Sequence, residues 1–155
     1  MSSSGKFEYL SDSNSFGQVV DDVNRILDKE KVSREERVPF VLAVSEALTN
    51  AIIHGNRKDP EKKVKVNISV DEKLMSADII DEGQGGLDRI RQRKPSTLKD
   101  EGGRGIDLIE HYATSVGYIQ IPAGGLKVEI RIERQTNSVI EGKSTLNGGS
   151  DEDHG

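Results

Sequence analysis

Cysteine is absent from this sequence, which excludes disulfide bonds and thiolate metal sites and suits a protein of the reducing cytosol. The chain also lacks an apolar targeting signal behind its N-terminus and any run near the ~18 apolar residues of a membrane-spanning helix. We therefore expect a soluble, cytoplasmic protein without membrane contact. Aromatic residues make up only 4% and hydrophobic residues 33% of the 155 residues. A chain of this length and hydrophobic content can form one hydrophobic core, which predicts a single domain.

An excess of positive charge is missing as well. The formal net charge is -5 and the isoelectric point is near 5.3. Binding to a nucleic-acid backbone needs a basic face, so we expect no direct nucleic-acid partner. The chain has only 3 histidines and no H-E-x-x-H motif, which argues against a protein-bound catalytic zinc.

Hydrophobic periodicity predicts an α+β fold. Some segments repeat apolar residues at helical spacing, and others are short runs rich in β-branched residues. The predicted helices cover residues 13–31, 38–54 and a segment beginning at Ile106 that includes Ile109, Ala113 and Val116; the predicted strands cover residues 7–10, 64–70, 74–80, 118–121 and 126–132. We expect a two-layer α/β sandwich with helices on one face of a mixed, mainly antiparallel sheet.

Local signals predict where the helices begin and end. Ser33 and Glu36 have the spacing of a capping box, in which each side chain satisfies a backbone N–H of the other residue. Pro39 is expected to separate this short helical turn from the main helix, because its ring would clash with the carbonyl four residues earlier. Gly55 and Asn56 are expected to stop the main helix with a left-handed backbone.

Composition divides the chain into a flexible N-terminus over residues 1–6, a folded domain over 7–134 and a polar, disordered tail over 135–155. Within the domain, residues 81–105 are rich in glycine and lack an apolar period, which predicts one long functional loop. A basic run in that loop is interpreted as a solvated face or a partner surface: Arg89, Arg91, Arg93 and Lys94.

The main predicted helix carries Glu46, Asn50 and His54 at positions i, i+4 and i+8, which places them on one face. A glutamate can act as a general base, and the amide oxygen of asparagine is a hard ligand suited to magnesium. The alternative is an amphipathic helix with a polar stripe toward solvent. His54 is also explained by the helix dipole alone, which favours histidine in a last turn.

Asp81 follows an apolar strand and precedes the glycines Gly83, Gly85 and Gly86. Its carboxylate can accept a hydrogen bond from an adenine amino group, while the glycines let the backbone pass close to a base and ribose. The alternative is an ordinary turn, since aspartate and glycine both favour turns.

The third segment, with Gly103, Arg104, Gly105 and Ile106, is predicted to open a helix. Free N–H groups at a helix N-terminus form an anion site, and Arg104 can add a charge-assisted contact to phosphate. The alternative is a flexible glycine-rich connection.

In this order, the three segments resemble the N, G1 and G2 boxes of the GHKL ATPase superfamily, whose fold is an α/β sandwich. The stretch from Ala43 to Gly55 is similar to the anti-sigma factor serine-protein kinases of bacterial partner-switching systems. The resemblance covers about residues 7–133. The short spacing from Asp81 to Gly105 fits these small kinases better than a sensor histidine kinase.

The resemblance implies that ATP and magnesium bind here, with Glu46 as catalytic base, Asn50 as magnesium ligand and Asp81 as adenine anchor. It also implies nucleotide loops shaped by Gly83, Gly85, Gly103 and Gly105. Near the last strands, the family often has a threonine that helps to hold adenine, and this chain has Leu126 there.

The resemblance further implies three partners. A small anti-anti-sigma antagonist would be phosphorylated on serine or threonine, a sigma factor would be sequestered, and a second copy would complete a homodimer. Two other functions stay open: an ATP-dependent partner-switch regulator without useful phosphotransfer, and a detached histidine-kinase catalytic domain.

Overall fold

The computed structural model describes residues 1–92 and 101–135, and of residues 101–104 it describes the backbone alone. The elements follow in the order β1 (Ser3–Leu10), α1 (Asn14–Lys29), α2 (Arg34–Asn50), a π-helical turn (Ala51–Gly55), β2 (Lys63–Val70), β3 (Leu74–Ile80), α3 (Gly86–Gln92), α4 (Glu101–Tyr112), β4 (Ser115–Gln120) and β5 (Leu126–Glu133). The α+β prediction is confirmed, and the predicted tail lies outside the described residues except for Gln135.

The strands form a five-stranded sheet in the order β1-β2-β3-β5-β4. Every strand pair in the described residues is antiparallel, so the prediction of a mixed sheet was wrong in that detail. The register places Val66 opposite Ile79 and Ile79 opposite Val128, all on the face that packs against the helices. Alternation within β2 and β3 buries every second residue, as a sheet covered on one side requires.

The hydrophobic core lies between this sheet face and the helices. The amphipathic helix α1 contributes Val19, Val23, Ile26 and Leu27, all buried. Helix α2 is buried more completely because it runs between α1 and α4 and also contacts β3 and β5. This central position makes α2 the scaffold for any side chain that it directs toward α4.

Pro39 lies inside α2 and does not break it, so the predicted separation was wrong. Proline removes one backbone hydrogen bond and costs about 3 kcal/mol in a helix interior. Here it occurs early in the helix, ahead of Phe40 and Val44, which are fully buried. Each such side chain contributes about 1.5–3 kcal/mol on burial, which outweighs the missing bond.

The main helix ends differently from the prediction. Asn56 has φ -81° and Gly55 is not among the residues with positive φ, so neither forms a left-handed stop. The helix instead widens into the π-helical turn, in which the Asn56 N–H donates to the Ala51 carbonyl at 2.7 Å. Arg57 and Lys58 then take the left-handed conformation that reverses the chain.

Three other boundaries also differ. Strand β1 begins at Ser3 and pairs with β2 from there, so the predicted flexible N-terminus is wrong for residues 3–6. The predicted loop over residues 81–105 contains α3 and the start of α4. Helix α4 ends at Tyr112, and Val116 belongs to β4. The prediction extended the helix too far, because the apolar spacing after residue 112 fits a strand as well as a helix.

One segment, Arg34–Gly55, has the length and composition of a membrane span, although polar residues such as Glu46 and Asn50 interrupt its apolar run. In the folded domain it is α2 with its π-helical turn, and half of its most apolar window is buried inside the protein. Its hydrophobicity is explained by its place in the core.

Candidate functional site

Glu46 and Asn50 project from α2 toward the start of α4. They converge on Gly105: a Cβ placed there would lie 3.1 Å from Glu46 Oε2, 3.2 Å from Asn50 Nδ2 and 3.3 Å from Asn50 Oδ1. Asn50 is buried and Glu46 is half-buried, so this pair does not form a stripe toward open solvent. The structure thus brings the first and third sequence segments together, with a glycine where they meet.

Asp81 lies at the end of β3 and is buried, with 5% exposure. Its Oδ1 accepts hydrogen bonds from the backbone N–H of Gly83 at 2.9 Å and of Leu126 at 3.1 Å. Burial raises the pKa of Asp81 above its usual value, while these two hydrogen bonds and the nearby Arg89 oppose the rise. Because Oδ1 already accepts two hydrogen bonds, Oδ2 is the oxygen that can accept one from a ligand.

Glycines around Asp81 permit close backbone packing. A Cβ on Gly55 would collide with the Asp81 carboxylate, and a Cβ on Gly83 would collide with the Gly55 carbonyl. Gly85 has φ +71°, a left-handed conformation that favours glycine. Gly83 and Gly85 thus fit the backbone of the loop after Asp81, and their role in nucleotide binding stays a prediction. Gly55 joins them because Asp81 packs against it, which its sequence position did not reveal.

Asn56 holds the loop after Asp81 through hydrogen bonds, and it was not predicted as a site residue. Its side-chain amide donates to Ser11 Oγ at 3.0 Å and to the Lys63 carbonyl at 3.1 Å, and its oxygen accepts from the Glu82 N–H at 2.8 Å. One buried side chain therefore connects the end of the π-helical turn to the loop after Asp81. Only the closeness of asparagine to the end of the predicted helix marked it in the sequence.

His54 lies beyond Asn50, in the π-helical turn. A π-helix has more residues per turn than an α-helix, so the i, i+4, i+8 relation to Glu46 and Asn50 does not hold at His54. His54 is half-buried and interacts electrostatically with Arg89. Burial, with the help of Arg89, lowers the pKa of His54 below its usual 6.5.

This lowered pKa predicts a stability change with pH. Below about pH 6.5 the unfolded chain binds a proton on its histidine before the folded chain does, so the free energy of unfolding falls as the pH drops toward the lowered pKa. We expect His54→Gln to reduce this loss in urea unfolding at pH 7.5 and 5.5. His111→Gln, at an exposed position on α4, should leave it unchanged. The same pH dependence in His54→Gln and wild type would contradict the assignment.

A small cavity separates Asp81 from Asn50. Its walls are largely apolar, and its polar side chains are Asn50, Asp81 and Arg89. Arg89 comes from α3 and is half-buried, so the interpretation of the whole basic run as a solvated face was wrong for this residue. The free volume of about 10 Å³ is room for about one water molecule. A purine base would therefore enter only if the walls of the cavity move apart.

The remaining predicted site residues belong to α3 and α4. Gly103 and Arg104 belong to the first turn of α4, which begins at Glu101, so they are part of the helix and not a loop ahead of it. Ile106 is buried in the cavity wall. Gly86 begins α3 and is buried, and a Cβ there would lie 3.1 Å from Leu126 Cβ. The helix N-terminus, where the sequence predicted an anion site, therefore lies at Glu101.

Once the cavity has opened, the donor and acceptor groups of this region suit a nucleotide and a magnesium ion. Asp81 and the apolar walls suit a base, the free N–H groups at the start of α4 suit phosphates, and Asn50 lies between these two regions. Among the residues that the structure describes, no group of three or more histidine, aspartate or glutamate side chains forms a metal site. Asn50 would thus hold magnesium together with phosphate oxygens and water.

Comparison with known proteins identifies the class to which this fold and site belong. Residues 10–132 match the family model of the histidine kinase-like ATPase domain. The chain therefore belongs to the histidine kinase-like ATPase family, which confirms the predicted superfamily.

Two similar proteins narrow the resemblance to anti-sigma factors. The chain is 30% identical to the anti-sigma F factor of Shouchella clausii over 86% of its own length and 93% of that protein. It is also 30% identical to the anti-sigma F factor of Bacillus subtilis, over 81% of its length and 87% of that protein. The predicted similarity to anti-sigma factors is confirmed.

A solved structure agrees with the fold. The crystal structure of the RsbU and RsbW domains of a Mycobacterium tuberculosis protein matches with a TM-score of 0.62 at 18% identity. The match covers 85% of this chain, and the chain spans only 33% of that two-domain structure.

Proposed function

We propose that this protein is an ATP-dependent serine/threonine-protein kinase and an anti-sigma factor. Its substrate would be a small anti-anti-sigma antagonist, and its second activity would be to sequester a sigma factor until the unphosphorylated antagonist competes. The observation that carries the proposal is the convergence of Glu46 and Asn50 on Gly105, next to the cavity that contains Asp81. Similarity to anti-sigma F factors supports the choice of partners.

Glu46 would act as the catalytic base. Its carboxylate oxygen lies beside the first turns of α4, where the γ-phosphate of ATP would reach the free backbone N–H groups. A hydroxyl bound there is within reach of Glu46, which would orient it and accept its proton during in-line attack on the γ-phosphorus. The bond from the γ-phosphorus to the bridging oxygen breaks, and ADP leaves.

Asn50 and Asp81 divide the binding of the nucleotide. Asp81 would fix the base through its free Oδ2, and Asn50 would hold magnesium through its amide oxygen. Magnesium, when bound, would neutralise charge on the transferring phosphoryl group. Both side chains are buried in a packed core, so they are positioned before the ligand arrives and lose little freedom on binding.

We further infer a cytoplasmic protein that acts as a homodimer. The named relatives are anti-sigma factors, and sigma factors work with the transcription machinery inside the cell. An anti-sigma factor acts on another protein, which agrees with the absence of a basic excess in the sequence.

The proposal predicts that Glu46→Gln separates ATP binding from phosphotransfer. Glutamine keeps the size of the side chain and removes its basicity, so we expect phosphorylation to slow by at least about a hundredfold while ATP affinity stays close to that of wild type. ATP binding is measured by titration calorimetry with magnesium. Phosphorylation is measured by incubating each purified variant with ATP in native lysate and quantifying new phosphoserine, phosphothreonine and phosphohistidine by mass spectrometry.

Glu35→Gln is the matched control, because Glu35 lies on the same helix and is exposed. It should phosphorylate the same small protein as wild type. Phosphorylation by Glu46→Gln at the wild-type rate would remove Glu46 as the base. Partner capture without any Glu46-dependent phosphate would favour a binding regulator, and an acid-labile phosphohistidine would favour a histidine-kinase domain.

A further inference from the structure

Two buried hydrogen-bond donors without a partner line the same cavity. Among the described residues, the buried side-chain nitrogens and oxygens that lack a hydrogen bond are Arg37 Nε, Asn50 Nδ2 and Arg89 Nε. Arg37 lies elsewhere, in the cleft between α1 and α2, whereas Asn50 and Arg89 both face the cavity beside Asp81. A buried donor left unpaired costs about 1–3 kcal/mol, so the cavity is complementary to a ligand with acceptor atoms.

Arg89 has a specific setting in this cavity. It projects from α3 into a site walled by Ile79, Ile90 and Leu126, and it interacts electrostatically with Asp81 and His54. Burial lowers the pKa of its guanidinium, and Asp81 partly offsets that effect. An arginine retains its charge under such shifts, so the cavity holds a cationic donor next to an anionic acceptor.

An acceptor and a donor side by side match one edge of a purine. Asp81 Oδ2 can accept from an exocyclic amino group, and the ring nitrogens that flank this group are acceptors without a partner. Leu126 offers only an apolar side chain to the cavity, and its backbone N–H is already bonded to Asp81. Asn50 also faces this cavity, but in the proposed function its amide oxygen holds magnesium. Among the described residues, Arg89 is the other unpaired side-chain donor in the cavity wall.

We propose that Arg89 is a base-binding residue, whose guanidinium donates to a ring nitrogen of adenine next to the amino group that Asp81 accepts. This inference rests on the proposed binding of ATP. Entry of the base requires the walls of the cavity to move apart, and the long arginine stem allows the guanidinium to stay within reach after that movement. Nucleotide specificity is then set by the pair Asp81 and Arg89, which together bind one edge of the base.

Arg89→Met tests this role, because methionine keeps the apolar stem and removes the donor. Loss of a hydrogen bond from a charged donor should weaken ATP binding by about 10- to 100-fold, as measured by titration calorimetry with magnesium. Arg91→Met is the matched control, an exposed position of the same helix, and should bind ATP like wild type. Thermal unfolding of both variants verifies that they fold.

ATP analogues supply a readout that a purely structural role would not change. We expect wild type to bind either 1-deaza-ATP or 7-deaza-ATP about 10-fold more weakly than ATP, since each lacks one of the two flanking ring nitrogens. Arg89→Met should bind ATP and that analogue equally. Arg89→Lys should recover part of the discrimination, because lysine keeps a charge without the planar fork.

Four results would overturn the inference. Equal ATP affinity in wild type and Arg89→Met would show that Arg89 does not touch the base. Tighter binding by Arg89→Met would show that Arg89 blocks the cavity instead of reading the base. Unchanged discrimination between ATP and the analogues would assign the ring nitrogen to another donor. Failure of wild type itself to bind ATP would remove the proposed function and this inference together.

Discussion

Replacing Arg134 with methionine is expected to destabilise the domain by about 3–5 kcal/mol, because it leaves Glu36 buried without its partner. The two side chains are 8% and 12% exposed and form a two-point ion pair, from Arg134 Nε to Glu36 Oε2 at 3.2 Å and from the second guanidinium nitrogen to Oε1 at 3.1 Å. Arg134 also donates to the Asp71 carbonyl at 2.9 Å. This one side chain therefore joins the end of β5 to the start of α2 and to the β2–β3 turn.

Urea unfolding of three variants checks this prediction. Arg134→Met alone should lose most stability, whereas the double variant Glu36→Met with Arg134→Met should recover much of it, since no charge is then left buried. Arg25→Met, which removes an ion pair within α1 whose arginine is 66% exposed, should change stability by no more than about 1 kcal/mol. A double variant no more stable than Arg134→Met would show that the packing of the arginine stem, and not the unpaired charge, decides the effect.

Sequence patterns predicted the elements whose cause is local. Strand β3 was predicted with its observed bounds and β2 within one residue, because alternating burial leaves a period-2 signal in the residues themselves. The prediction of a capping box was half right, because only one of its two hydrogen bonds forms between neighbouring residues. Ser33 Oγ accepts from the Glu36 N–H at 3.1 Å, which is local, but the Glu36 carboxylate binds Arg134, which lies 98 residues further along the chain.

The errors have tertiary causes. Pro39 is a local helix breaker, and only the burial of α2 on several sides explains why the helix continues through it. Gly55 was interpreted from its place at a helix end, although its small size is needed because Asp81 packs against it. Arg89 looked like one of several loop cations, and no periodicity could show that its side chain lines the cavity.

The candidate site was predicted better than the loops around it. Glu46, Asn50 and Asp81 were selected by residue type and spacing, and the structure brings them to one region between α2, α4 and β3. Their supports, Asn56 and the π-helical turn, were not predicted, since a hydrogen bond from Asn56 to Ser11 joins residues 45 positions apart. Residue types alone indicated the chemistry of the site, but the contacts that position these side chains depend on the whole fold.

The contact between Gly83 and Gly55 predicts the largest effect that a single methyl group can have on this site. In Gly83→Ala the added carbon collides with the Gly55 carbonyl, which belongs to the backbone of the π-helical turn and has no rotamer to adopt. We expect a loss of about 3 kcal/mol in the free energy of unfolding. This corresponds to a fall of about 6–12 °C in Tm for a chain of this size.

The same collision should also abolish ATP binding, because Gly83 and Asp81 are tied by a hydrogen bond and must move together. Gly85→Ala is the matched control in the same loop: its φ of +71° costs an alanine about 1 kcal/mol, but a Cβ there meets no atom within 4 Å. Calorimetric unfolding and ATP titration of both variants separate the two causes. If Gly83→Ala unfolds at the temperature of Gly85→Ala and binds ATP equally well, the π-helical turn and the Asp81 loop are not packed as rigidly as their contact implies, and Asp81 is not held in place by it.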